Sequence, residues 1–350
     1  MNGDFQILHE KIASSGRMVI TAHTHPDGDA VGSCVALRHF LTESCGKSAT
    51  IILPDTLPGN LAFLWEGENV IVASDSPDEA RAAVGQADMV FMLDGNSFDR
   101  TACLEQDMLS SGAFKVLIDH HLDPRCDEFD IMFSRTDVSS TCEVLYYLLL
   151  TMPETASDPG KLPEASARAL MAGMTTDTNN FANSVFPGTF RMASELIAAG
   201  VDRDAVLESL YSHYRENRYR LMGFMLGSNM TITPDGAAYF ILDKEIHDRF
   251  GIQEGETDGF VNIPLGIGGI RISLFLHEDE RGFFRVSIRS RKNIMASDMA
   301  VKYFHGGGHP NAAGGKLWFR ESDGQPADIC SREEAAAYIE KITHEFLSGQ

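Results

Sequence analysis

Short apolar runs alternate with helically spaced segments through the first half of the chain. Residues 18–21 form a β-rich run, and residues 30–41 behind it carry apolar side chains at helical spacing. Residues 49–53 and 70–73 are further strand-like runs. Residues 89–93 (MVFML) and 115–118 (KVLI) are compact apolar runs of the kind that buried parallel strands show. This alternation predicts an α/β domain with a doubly wound, mainly parallel sheet. Helices are expected at 139–151 and 164–173. Residues 188–227 read as helical throughout, broken at Gly200, with Asp202 placed to cap the second segment.

Beyond this connector the texture changes. TITPDGAAYFIL (231–242) sets a turn signal between two strand-like runs, and residues 270–290 read as a hairpin turning at 279–282. A helix over 297–304, an apolar strand over 316–319 and a last helix over 331–347 complete a smaller α+β domain. Ser331 and Glu334 stand at capping-box spacing at the start of that helix. The expected division is 1–190 for the first domain, 191–228 for the helical connector and 229–350 for the second domain. A chain of 350 residues suits two domains.

Composition changes this picture in one respect. Hydrophobic residues at 43% and charged residues at 23% are ordinary and supply a core, but 29 basic against 50 acidic side chains leave a net charge of -21. Such a surface repels long duplex DNA and admits a small anion only where local cations reverse the field. The six cysteines show no C-x-x-C spacing, which fits reduced thiols better than disulfides or a thiolate zinc site. Neither a signal-peptide core nor a membrane-length apolar run is visible, so a cytoplasmic chain with no membrane partner is expected.

The candidate chemistry sits where the strand-like runs end. Residues 18–21 run into HTHPDGD, with His23, His25, Asp27 and Asp29; residues 89–93 run into Asp94; residues 115–118 run into Asp119, His120 and His121. In an open parallel sheet the carboxyl ends of the strands share one edge, so these groups should converge. Asp177, in MTTDTNNF, follows an apolar segment and is placed to join them. Taken singly, each is also readable as a polar turn or a helix cap. Taken together, clustered carboxylates and imidazoles need cations to offset their repulsion, and an oxygen and nitrogen donor set suits Mn2+ or Mg2+. Two such ions sharing a carboxylate would activate water and clamp a phosphoryl group.

A second set lies in FHGGGHPNAAGG (304–315). Three consecutive glycines let backbone N–H groups approach an anion, and His309 can donate to phosphate; a flexible loop is the plainer reading. Upstream, RVSIRSRKN gathers Arg285, Arg289, Arg291 and Lys292, and the three arginines should share one strand face.

HTHPDGDAVGS, the strand-end Asp94, DHH at 119–121, TDT at 176–178 and GGGHPNAAGG together resemble, in order, the motifs of the DHH-family phosphoesterases with their C-terminal DHH-associated domain. The two-domain length resembles the NrnA-like subfamily, which handles short oligoribonucleotides and 3′-phosphoadenosine 5′-phosphate (pAp). The resemblance implies two divalent ions, Mn2+ above others. His23 and Asp27 would hold one, Asp29, His120 and Asp177 the other, and Asp94 would bridge. Asp119 would orient an imidazole, and His121 would face the scissile phosphate as a catalytic group beside Asp94. Arg289, Gly307, Gly308 and His309 would hold substrate across an interdomain cleft, while His25 has no matched role. SSTCEVLYYLL (139–149) matches a family helix start with a supporting role. Asn179 departs from the glycine many relatives carry after TDT, which leaves the shape of that loop open.

The expected activity is therefore metal-dependent hydrolysis of a short oligoribonucleotide, a linear dinucleotide of the pApA type, or pAp. Cyclic dinucleotides and inorganic pyro- or polyphosphate are the alternatives within the family, and a non-catalytic nucleotide sensor is the alternative outside it. A homodimer is compatible with this reading.

Overall fold

In the computed structural model, which describes residues 2–57, 59–212, 214–253, 255–321 and 326–349, the chain divides into two compact units, Met1–His213 and Tyr214–Gln350. The division falls inside the segment expected as a connector. The apolar run at its centre, β1 (Arg17–Thr21), is flanked in space by β2 (Ser48–Leu53) and β3 (Val70–Val72) on one side. On the other side stand β4 (Met89–Leu93), β5 (Phe114–Asp119) and β6 (Ile131–Ser134). The order β3-β2-β1-β4-β5-β6 is parallel throughout. All five residues of β4 are buried, which is why its sequence does not alternate: helices cover both faces of a parallel sheet. The strand order reverses between β1 and β4, and that reversal opens a crevice at their carboxyl ends.

Three helices bring the remaining chemistry to this crevice: Gly28–His39, Thr141–Leu150 and Glu164–Asp177. The third of them meets each of the other two through glycine. A Cβ on Gly32 would stand 2.8 Å from the Ala169 carbonyl oxygen, and one on Gly173 would stand 2.3 Å from Cys142 Sγ. The region expected to be helical over 188–227 is three helices, Pro187–Ala198, Arg203–Tyr211 and Glu216–Phe224, and Asp202 caps the second by accepting from the Ala205 amide at 3.0 Å. Among the elements missed are the helices Asn2–Ser14, Pro77–Gly85, Glu105–Ser110 and Lys244–Phe250, and the edge strand β6, whose four residues are too few to show a period.

The second unit holds a mixed sheet of β7 (Thr231–Ile232), β8 (Ala237–Leu242), β9 (Ile272–Asp279), β10 (Phe283–Ser290), β11 (Gly307–His309) and β12 (Ala312–Trp318). Its order is β11-β12-β10-β9-β8-β7, with only β8 and β9 parallel. Phe284, Val286 and Ile288 alternate into a core shared with helices Ala296–Tyr303 and Ala335–Ser348.

Three expectations about this unit change. The glycine run is a strand, paired to β12 in a hairpin, and the strand expected at 316–319 begins at Ala312. A Cβ on Gly306 would stand 1.9 Å from the Gly314 carbonyl oxygen, so close approach of backbone to backbone explains that glycine. Arg291 lies past the end of β10, and its guanidinium donates to the carbonyls of Ile270 (2.7 Å) and Leu265 (2.8 Å) instead of sharing a face with Arg285 and Arg289. Glu334 accepts from the Cys330 amide at 3.1 Å, one residue before the partner a capping box requires. Among the described residues no helix is long and apolar enough to cross a membrane, and all six cysteines are free thiols.

Candidate metal centre

Adjacent strands β1, β4 and β5 deliver the acids and imidazoles to one edge of the first sheet. Asp27 follows β1 and caps the Gly28–His39 helix, with one carboxylate oxygen accepting from the amides of Asp29 (3.0 Å) and Ala30 (3.1 Å). The cap and the candidate ligand are thus the same residue. His23 is buried, and its Nδ1–H donates to the Thr24 carbonyl at 2.7 Å. A carbonyl only accepts, so Nδ1 carries the proton and Nε2 faces Asp94 at 3.4 Å.

Asp94 follows β4 with φ at +54°, a left-handed conformation that aspartate tolerates better than most residues. Its carboxylate is buried and faces three imidazoles, with His120 Nε2 3.6 Å and His121 Nδ1 3.7 Å from Oδ1 and His23 near Oδ2. Thr141 Oγ1 donates to Oδ1 at 3.0 Å. Asp29 is buried too, and each of its oxygens accepts an amide from the first turn of the Thr141–Leu150 helix: Thr141 N at 2.6 Å and Cys142 N at 2.9 Å. The helix start expected to play a supporting part therefore holds two of the acids. Asp177 ends its helix with Oδ2 3.6 Å from His120 Nε2.

These groups form overlapping triads. His23, Asp27 and Asp94 bring one donor atom each within 4.8 Å of one another, and so do Asp29, Asp94 and His120. Asp94 belongs to both, as a shared ligand of two ions must. The donor set, rich in oxygen with imidazole and no thiolate, fits Mn2+ or Mg2+. Asp119 stands behind this set: fully buried, it accepts the Nδ1–H of His121 at 2.8 Å and the His121 amide at 3.1 Å. The His121 ring is thereby fixed with Nε2 turned away from Asp119.

The electrostatics ask for positive charge. Burial, then the charges of Asp94, Asp177 and Asp27, push the Asp29 carboxyl well above the usual carboxylate range. Burial also opposes ionisation of Asp94, but the His23 hydrogen bond and the three imidazoles hold it well below that range. Burial likewise opposes protonation of His23, and Asp94 overcomes it, so His23 is raised; His120 is lowered by burial. For His121 the burial cost is outweighed by the Asp119 hydrogen bond and the charge of Asp94, and its value is pushed up to about 9. Divalent cations would supply to the same donors the charge that protons supply here.

His25 takes no part: it has φ at +53° and its amide donates to Asp55 at 2.9 Å, as turn chemistry requires. Asn179 has φ at +47°, followed by Asn180 at +55° and Phe181 at +66°. The loop therefore keeps a conformation that glycine adopts easily, with asparagine as the most tolerant substitute. Sequence reasoning missed the contacts of Thr141 and Cys142; the acid at position 29 gives no local hint that its partners lie 112 residues away. The second candidate set lies in the second unit. Arg289 of β10 and His309 of β11 both pair with Ala312, so they occupy one row across three strands, beside Gly308 opposite Ala313 and Gly307 opposite Gly314.

Residues 17–174 match the DHH family, N-terminal domain, and residues 237–320 match the DHHA1 domain. The chain is 30% identical over 311 residues to the bifunctional oligoribonuclease and PAP phosphatase NrnA of Thermus thermophilus, covering 87% of this chain and 85% of that protein. It is 29% identical over 318 residues to the protein of the same description in Bacillus subtilis, covering 89% and 93%. Its fold matches the crystal structure of an exopolyphosphatase-related protein from Bacteroides fragilis with a TM-score of 0.88 and 31% identity, over 99% of this chain and 97% of that one. With both domains matched in order and a relative 30% identical over most of its length, the chain belongs to the DHH family of phosphoesterases.

Proposed function

We propose that this chain hydrolyses short oligoribonucleotides and linear dinucleotides of the pApA type, and pAp, in the cytoplasm at a centre loaded with two Mn2+ ions. The observation that carries this reading is the pair of donor triads sharing Asp94. His23 and Asp27 would hold one ion, Asp29, His120 and Asp177 the other, and Asp94 both. When bound, such ions activate water and neutralise charge on the phosphoryl oxygens. The relatives described as oligoribonuclease and PAP phosphatase support the substrate class. The free thiols fit a reducing compartment.

The protein's own groups do the rest. Asp29, pinned by the Thr141 and Cys142 amides, and Asp94, held by Thr141 Oγ1, keep their oxygens in place without reorganisation during turnover. Asp119 orients His121 so that Nε2 donates to a phosphoryl oxygen and stabilises developing charge. Arg289, His309 and the backbone of Gly307 and Gly308 grip a substrate phosphate, with Arg289 as the bidentate partner. The acidic surface disfavours longer chains, because every phosphate outside the site meets repulsion.

Incubating the Mn2+-loaded chain with pApA tests the reading. Release of AMP is expected. Absence of AMP from folded, metal-loaded protein removes the dinucleotide assignment.

A further inference from the structure

The first turn of the Thr141–Leu150 helix does more than hold Asp29. One residue beyond Cys142, Glu143 is 1% exposed and lines a cleft of about 390 Å3 together with Arg135, Tyr147, Phe186, Gly188 and Arg191. This volume is within the range of small-ligand sites, ~300–1,000 Å3. The cleft adjoins the metal centre through the backbone at two points. The Arg135 amide donates to the Asp119 carbonyl at 3.0 Å, and the Cys142 amide donates to Asp29 at 2.9 Å.

The lining has a cationic side, an aromatic side and two carboxylates, of which Asp137 is taken up by Arg135 and Glu143 faces inward. Glu143 Oε2 accepts from Ser139 N (2.9 Å), Ser139 Oγ (2.6 Å) and Thr189 Oγ1 (2.7 Å), so that oxygen is saturated. Oε1 has no hydrogen-bond partner among the described residues and faces Gly188, where a Cβ would come within 2.5 Å of it. Only glycine leaves that oxygen open to the cleft. Tyr147 is held in the wall by its hydroxyl, which donates to the Gly188 carbonyl at 2.8 Å. Of the two guanidiniums, Arg135 is engaged bidentately by Asp137 at 3.0 and 2.8 Å. Arg191 is exposed and has no ion pair among the described residues, in a chain with 50 acidic side chains.

We propose that this cleft is a second ligand site that takes a nucleoside monophosphate. Arg191 binds the phosphate, the Tyr147 and Phe186 rings flank the nucleoside, and Glu143 Oε1 accepts from a sugar hydroxyl or a base N–H. A single acceptor oxygen does not distinguish the bases, whereas bidentate readout of guanine needs both oxygens of a carboxylate. The site rests on the proposed function only in that a nucleoside monophosphate is also the product of that reaction; binding itself requires neither the ions nor turnover.

Calorimetric titration of AMP into the full-length chain tests this, with Asp94→Asn disabling the metal centre and Asp177→Asn, at a partly exposed position, serving should the first variant not fold. The metal-centre variant is expected to bind one AMP. Adding Arg191→Ala should weaken that binding at least tenfold, and Glu143→Gln should weaken it measurably with Arg191 intact. Inorganic phosphate should bind at least tenfold more weakly than AMP. Loss of AMP binding on disabling the metal centre, indifference to Arg191→Ala, or equal affinity for phosphate overturns the proposal. Because pApA cleavage is not the readout, failure here leaves the proposed function standing, and an inactive wild-type chain that still binds AMP separates the two.

Discussion

At the scale of single residues, Asp94 carries the most weight, because both donor triads contain it. Asp94→Ala is expected to lower pApA turnover by at least ~1,000-fold and bound Mn2+ from two ions per chain to one or none, with circular dichroism unchanged; metal analysis of the purified variant checks this. In the proposed mechanism Asp119 acts through His121. Asp119→Asn keeps the shape but weakens the grip on Nδ1–H, so kcat should fall ~10- to 100-fold with metal content intact. Position 179 tests backbone conformation in isolation. Asn179→Gly should leave activity within about twofold, whereas Asn179→Val should cost ~1–2 kcal/mol in urea unfolding, since a β-branched residue is strained at φ +47°. The candidate acids and imidazoles stood out in the sequence because most of them follow a strand-like run, while Asp177 follows an apolar segment that folds as a helix. The anchoring of Asp29 was not, since its donors are backbone amides that any residue supplies.

At the scale of elements, glycines decide how closely helices and strands approach. Gly32 lets the Gly28–His39 helix meet the Glu164–Asp177 helix, and that contact carries Asp177 toward His120. Gly32→Ala puts a methyl 2.8 Å from a backbone oxygen that cannot swing aside. A loss of ~1–3 kcal/mol is expected, read as a lowered urea midpoint with unchanged slope. The hairpin of β11 and β12 shows where element reasoning failed. A run of three glycines carries no strand propensity, so it reads as a loop, yet a Cβ on Gly306 or Gly308 would strike the backbone of β12, while Gly307 between them faces open space. β6 escaped for the opposite reason: four residues at a sheet edge are ordered by pairing with β5, not by their own pattern.

At the scale of the molecule, charge sets both stability and substrate range. Buried Asp29 and Asp94 are repelled by each other and by Asp27 and Asp177 beside them, so Mn2+ should raise Tm by about 5 °C or more at saturating concentration, and chelation should reverse the shift. A scan with Mg2+ and Ca2+ beside Mn2+ ranks the ions by the same readout. A net charge of -21 also predicts an inverted salt response for longer substrates. Where most nucleic-acid binding weakens with salt, binding of an oligoribonucleotide longer than the site should be relieved as ionic strength rises toward about 0.15 M. The amino-acid sequence by itself determined the kinds of groups available, the strand ends that carry them, the acidic field and the succession of two domains. These are local or additive properties, readable residue by residue. Only the tertiary structure decided which oxygen meets which imidazole, that Asp94 is shared, and that a helix start 112 residues away secures Asp29. Those contacts depend on the strand order β1-β4-β5 and on close helix packing, which arise from interactions between distant segments and leave no periodic trace in any one of them.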